Sequence, residues 1–263
     1  MTYQPIIPLS GFSGWAFLNR TMESQKSAFN ESASIQRDTD YFRENIGSVT
    51  SAEDLMSDHR LLTVALGAFG LDEDIGNKYF IQKVLTDGTI DDDALANKLS
   101  DTAYLELSKA FGFGDFDTPN TALSFFPDEI ISKYQDTQFE VAVGEQDNDM
   151  RMALNVDREL SEIVDSDTTD NGAWYAVLGD EAVRTVFETA LGLPSSIGTL
   201  DLDLQLKSFR EKTDQYFGET EIAQFSDPEK RDELVRLFMV RSEIAAGGAG
   251  TSSAQNALTL LSS

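Results

Sequence analysis

The sequence predicts an all-α fold, a multi-helix array containing an internally duplicated helical unit. Three observations carry that prediction. Apolar residues recur at helical spacing between capping residues along most of the chain. No convincing run of alternating apolar and polar residues marks a strand. One segment recurs at an offset of 122 residues, near 55–76 and again near 177–198.

Taken in order, the elements begin after an irregular start with Trp15, Leu18, Met22 and Phe29, whose spacing predicts a helix with one sparse apolar stripe. Such a stripe lies on a core or awaits a partner; the second reading makes these four residues the expected partner face. DTDYFRENIG reads as a short helix capped by Asp38 and stopped at Gly47, and Ser51 with Asp54 opens the next. NKYFIQKVLTDG, DDDALANKLSD and TAYLELSKAFGFG continue the helical pattern. The best linker is GFGDFDTPNT; Pro119 then sits where a new helix can start, followed by ALSFFPDEIISKYQ and a long segment over about 139–164.

The repeat aligns LMSDHRLLTVALGAFGLDEDIG from Leu55 with VLGDEAVRTVFETALGLPSSIG from Val177, with eight identities in 22 positions. Leu61, Val64, Ala65, Ala68 and Phe69 form one apolar stripe, and Val183, Val186, Phe187, Ala190 and Leu191 repeat it. Asp58 and Asp180 fall at N-cap positions, where a carboxylate accepts from the first free amides, and Gly70 and Gly192 fall where a left-handed residue stops a helix. Further on, SDPEKRDELVRLFMVRSEI reads as a helix with Pro228 in its first position, and a small-residue tail follows, with Ala257, Leu258 and Leu261 as a potential short docking helix. The expected layout is an N-terminal helical arm over 1–50, a first helical repeat over 51–118, a second with connecting helices over 119–245, and a flexible tail over 246–263.

A chain of 263 residues with 41% hydrophobic residues and 6 prolines has the composition of a globular protein, and folding at this size buries roughly three quarters of the unfolded surface. With 46 acidic against 20 basic residues the net charge is −26, which repels nucleic acid and anionic membranes. The apolar stretch PIIPLSGFSGWAFL has no basic region before it and is broken by proline, serine and glycine, so neither a signal peptide nor membrane insertion is expected. The absence of cysteine removes disulfides, thiolate nucleophiles and cysteine-ligated metals.

Other chemistries fare no better. His59, the sole histidine, follows Asp58 directly, and neighbours at a helix start point in different directions; without a G-x-S-x-G turn it reads as a surface residue. In DSDTTDNG, a calcium loop starting at Asp167 puts Gly172 sixth but Leu178 twelfth, where a bidentate glutamate is required, and a start at Asp165 puts Asp170 in the glycine's place. GFGFGDF lacks the lysine and strand-to-helix context of a phosphate loop. Trp15, Trp174 and the 17 phenylalanines read as core. No catalytic, cofactor-binding or metal residue is therefore expected.

The runs LLTVALGAFGLDEDIGNKYFIQKVLTDG and DDDALANKLSDTAYLELSKAFGFGD resemble the signature region of an alphaproteobacterial family of unknown function, domain-of-unknown-function family 1217, whose genes commonly lie among flagellar genes. The resemblance covers about 55–115 and implies an all-helical fold with a flagellar connection; it brings no activity and no site residues. The expected function is that of a non-catalytic interaction or assembly protein of flagellar biogenesis with a protein partner, and the alternative is a small-molecule or ion-binding regulator with a site between the repeats. Cytoplasmic residence is the default expectation, with export by the flagellar secretion route as the alternative.

Overall fold

The computed structural model describes residues 3–99, 101–166 and 168–246. Among them are twelve α-helices, short 3-10 turns and no strand. The helices are α1 (Gly11–Asn30), α2 (Ala33–Asn45), α3 (Ala52–Ser57), α4 (His59–Gly67), α5 (Lys78–Asp87), α6 (Ala103–Phe111) and α7 (Phe126–Gly144). There follow α8 (Asn148–Asp165), α9 (Asp170–Gly179), α10 (Glu181–Leu191), α11 (Leu202–Phe217) and α12 (Pro228–Ala245). They form two compact units, one from Met1–Pro5 and Met22–Ala142, the other from Ile6–Thr21 and Val143–Ser263, each taken over its described residues.

In the first unit α2 packs on α4, α3 on α5, and α5 on α6. Phe42, Leu55, Leu62, Val84, Leu107 and Phe111 are fully buried between them, which is the apolar stripe of each amphipathic helix turned inward. Local polar bonds fix the ends. Ser51 accepts from the Asp54 amide at 3.1 Å, and Asp58 accepts from the amides of Arg60 and Leu61 at 2.9 and 3.1 Å. Burial works against the ionised Asp58, but a 2.6 Å bond from the Tyr41 hydroxyl and the two amide bonds outweigh it and hold the carboxyl below its ordinary value. Thr121 donates to the Val49 carbonyl at 2.6 Å and so anchors the segment before α7.

In the second unit α10 packs on both α12 and α8, and α8 on α12. Trp174, Phe187, Phe209 and Phe225 form an edge-to-face cluster at its centre, all fully buried. Gly14 lets α1 approach closely, since a Cβ there would collide with the Leu9 carbonyl and the Met150 side chain. Asp180 accepts from the Val183 amide at 2.8 Å at the start of α10. Asp227 accepts from the Glu229 amide at 2.9 Å, with Pro228 first in α12.

The two segments aligned by the sequence repeat carry the same local devices in the same order. Each has a helix, an aspartate cap, a second helix, a glycine of positive φ (+71° at Gly70, +64° at Gly192) and a 3-10 turn. At both glycines the amide that follows bonds back to a carbonyl five residues earlier, Leu71 to Leu66 at 3.0 Å and Leu193 to Glu188 at 2.9 Å. Alanine at Gly70 is expected to cost about 1 kcal/mol, since a Cβ opposes this backbone conformation. Alanine at Gly192 is expected to cost more, because its Cβ would also displace the Arg241 guanidinium, which donates to Tyr216 at 2.6 Å. Urea midpoints measure both, and unchanged midpoints would show that these turns do not govern helix ends.

Several expectations are corrected. The stripe assigned to a partner is interior: Trp15 is 6%, Leu18 0% and Phe29 5% exposed, and Met22 is half-buried. It looked sparse because Gln25, a polar residue, occupies one of its positions and is buried too. The short helix begins at Ala33, so Asp38 lies within α2 and Ser32 takes the N-cap position. The acidic run from Asp91 forms, over residues 91–99, turns and one short 3-10 segment, Ala96–Lys98, as Asp91 and Asp93 commit carboxylate oxygens to local bonds with Asp93 N–H and Lys98. The expected long helix over 139–164 breaks before Asp147, which caps α8 through the Met150 amide at 3.1 Å. The compact units differ from the 1–50, 51–118 and 119–245 layout: the first 50 residues are shared between both, and the second division falls within α7. Residues 247–263, with Ala257, Leu258 and Leu261, lie outside the described residues, as does Asp167.

Candidate functional site

Of the residues singled out in the sequence, Asp58 and Gly70 serve helix ends in the first unit, and Asp180 and Gly192 do so in the second. His59 is exposed, with its Nδ1 3.3 Å from the Thr63 hydroxyl. Asp170 of the acidic run at 165–170 is committed to structure: one oxygen accepts from the Ile222 amide at 3.0 Å and the other pairs with Arg210. No group of three or more histidines, aspartates or glutamates placed to hold a metal occurs among the described residues. No helix there is long and apolar enough to cross a membrane.

Two surface grooves lie in the second unit. The first, of about 490 Å³, lies between the turn after α10 and the outer side of α11, with Leu193, Pro194 and Ile197 on one wall and Ser208, Lys212 and Gln215 on the other. Leu200 lines it and is 44% exposed, and Leu202 and Leu204 in the first turn of α11 are 51 and 49% exposed; this exposed run over 200–204, with Asp201 and Asp203 between the leucines in sequence, is the leucine ledge. Its geometry follows from where α11 starts. The helix begins at Leu202, which stands one turn before the buried Leu206 on one side of α11, while Leu204 stands one turn before Ser208 on the side that walls the groove. An exposed apolar cluster rimmed by charge is a feature of interaction surfaces.

The second groove, of about 380 Å³, lies between α1 and α12. Phe12, Trp15, Ala16, Asn19 and Arg20 form one stripe of α1, and Asp232 and Arg236 stand one turn apart on α12. Trp15 forms part of the buried floor, while Asn19, Arg20, Asp232 and Arg236 are exposed at the rim. The Arg20 guanidinium lies 5.7 Å from the Phe17 ring centre and that of Arg236 lies 5.8 Å from the Phe12 ring centre. Along α12, Ser242 bonds Asp149 of α8, whose carboxyl is nonetheless held above its ordinary value by burial and by the neighbouring Asp147.

Sequence reasoning passed over both grooves. The leucine ledge had a visible signal, the alternation in LDLDL, but its exposure depends on where the helix starts. The arginines had none, because residues 20 and 236 are brought together only by tertiary packing.

Comparison with known proteins bears on the fold. The crystal structure of a protein from Agrobacterium tumefaciens matches with a TM-score of 0.74 at 29% sequence identity, over 92% of this chain and 99% of that one. A comparison with curated proteins gives no match. The family model described as "Protein of unknown function (DUF1217)" matches residues 68–230, which is more than half of the chain, and the chain belongs to that family.

Proposed function

We propose that the chain is a non-catalytic helical interaction or assembly protein connected with flagellar biogenesis, and that it docks a protein partner on the leucine ledge of its second unit. The observation that carries this reading is the exposure of Leu200, Leu202 and Leu204 beside a groove walled by Leu193, Pro194 and Ile197. An amphipathic partner helix with apolar anchors one turn apart fits such a surface. Asp201 and Asp203 between the leucines, on a chain of net charge −26, favour a helix whose apolar face is flanked by lysine or arginine. The flagellar connection rests on the family resemblance. A duplicated helical unit, supported by the matched caps and turns, belongs to the same proposal.

Replacing Leu202 and Leu204 with serine is expected to leave helix content and the unfolding midpoint near those of the native protein, since neither side chain is buried. Capture of the partner from motile cells, and motility of a strain carrying the double variant, are expected to be lost. Retained capture with native motility would remove the ledge as the docking surface. A small-molecule regulator is the second reading, favoured by the arginine groove between α1 and α12.

A further inference from the structure

We infer that the groove between α1 and α12 is a binding site for a small amino dicarboxylate, with Arg20 and Arg236 each taking a carboxylate and Asp232 taking the ammonium group. The inference starts from charge. Acidic residues outnumber basic ones 46 to 20 in this chain, so a guanidinium has many carboxylates to choose from. Arg43, Arg158, Arg184, Arg210 and Arg231 each stand within 4.0 Å of one. Arg20 and Arg236 line one groove, and neither has an ion pair or hydrogen bond among the described residues; each has an aromatic ring within about 6 Å. Asp232 sits one turn before Arg236 on the same face of α12, yet the two form no ion pair.

The groove thus presents two cations and one anion with unused bonding capacity, over a floor that includes Trp15 and beside the amide of Asn19. Its complement is a molecule with two anionic groups and one cationic donor. Guanidinium forks match carboxylates in a bidentate geometry that a lysine pair does not offer, and the aromatic rings hold the forks without using their N–H groups. A volume of about 380 Å³ is that of a small-molecule pocket rather than of a macromolecular interface. A simple anion such as phosphate leaves Asp232 facing a like charge, so the carboxylate in the groove selects for a ligand that also carries an ammonium group.

The test uses the full chain with L-glutamate as the probe and succinate and inorganic phosphate as comparisons, read by titration calorimetry and by the rise in melting temperature on ligand addition. L-glutamate is expected to bind more tightly than either comparison. Arg20→Met and Arg236→Met are each expected to weaken it by about tenfold or more, as the loss of one charge-assisted pair implies. Asp232→Asn is expected to weaken L-glutamate but not succinate. The three substituted side chains, Arg20, Asp232 and Arg236, are exposed, so the variants keep the native melting temperature without ligand, and Arg37→Met, an exposed arginine of the other unit, serves as the neutral control. Absence of L-glutamate binding, binding indifferent to both arginine variants, or phosphate binding as tight as L-glutamate would each overturn the assignment. Because the readout is ligand binding alone, its failure leaves the leucine-ledge proposal standing, and loss of partner capture says nothing against this one.

Discussion

Replacing Trp174 with alanine is expected to destabilise the second unit by about 3–5 kcal/mol, the range for removing a large aromatic from a closed core. Trp174 is fully buried and joins three elements. Its ring meets Phe187 of α10 at 5.8 Å and Phe209 of α11 at 6.2 Å, both edge to face. Phe187 continues to Phe225 at 5.5 Å, and Phe225 to Phe217 at 5.1 Å. The indole N–H donates to the Thr220 carbonyl at 3.0 Å, so truncation also leaves a carbonyl without its donor. Against a typical domain stability of about 5–15 kcal/mol, this loss is a large fraction. Trp174→Phe keeps most of the ring and is expected to cost much less. Fluorescence during urea unfolding is a clean readout, since the other tryptophan, Trp15, belongs to the same unit. If the alanine variant unfolds at the same urea concentration as the phenylalanine variant, the aromatic cluster is not what holds this unit together.

What was legible in the sequence is what local physics decides. Asp58, Asp180 and Pro228 sit at helix starts because a carboxylate or a missing N–H satisfies the first turn wherever that turn lies, and Gly70 and Gly192 end helices because only a residue without Cβ adopts their backbone conformation freely. What was not legible depends on residues far apart. Whether the stripe of Trp15, Leu18 and Phe29 meets a core or solvent is decided by its packing, and the buried Gln25 disguised its continuity. The unit boundary within α7 leaves no mark in composition, because a helix that runs through a boundary has no cap or linker there. The grooves are further removed still, since Arg20 and Arg236 share a surface only once α1 and α12 are in place.

The glycines near 88 and 114 show the same limit, and they define the second large effect expected. Both end stretches whose residue pattern predicts helix. Gly88 does follow α5, but its φ of +69° and ψ of −153° lie in a region open essentially to glycine alone. A Cβ there would strike the Asp115 carboxylate and come within 2.8 Å of the Gly114 carbonyl carbon; a Cβ on Gly114 would in turn meet the backbone of Thr86 and Gly88. The two backbones therefore cross in direct contact, and Asp115 locks the crossing by accepting from the amides of Thr89 and Ile90 at 2.6 and 3.1 Å and from the Thr89 hydroxyl at 2.9 Å. Gly88→Ala is expected to cost on the order of 2–5 kcal/mol, combining backbone strain of about 1–3 kcal/mol with a similar term for overpacking. A double-mutant cycle with Asp115→Ala separates the two, because that change removes the nearest atom in the clash and leaves the backbone requirement untouched. In the Asp115→Ala background the cost of Gly88→Ala, measured by urea unfolding, is expected to fall toward the strain contribution. An unchanged cost there would place the whole effect in backbone conformation, and a negligible cost in the native background would mean that the crossing at Gly88 and Gly114 is not closely packed.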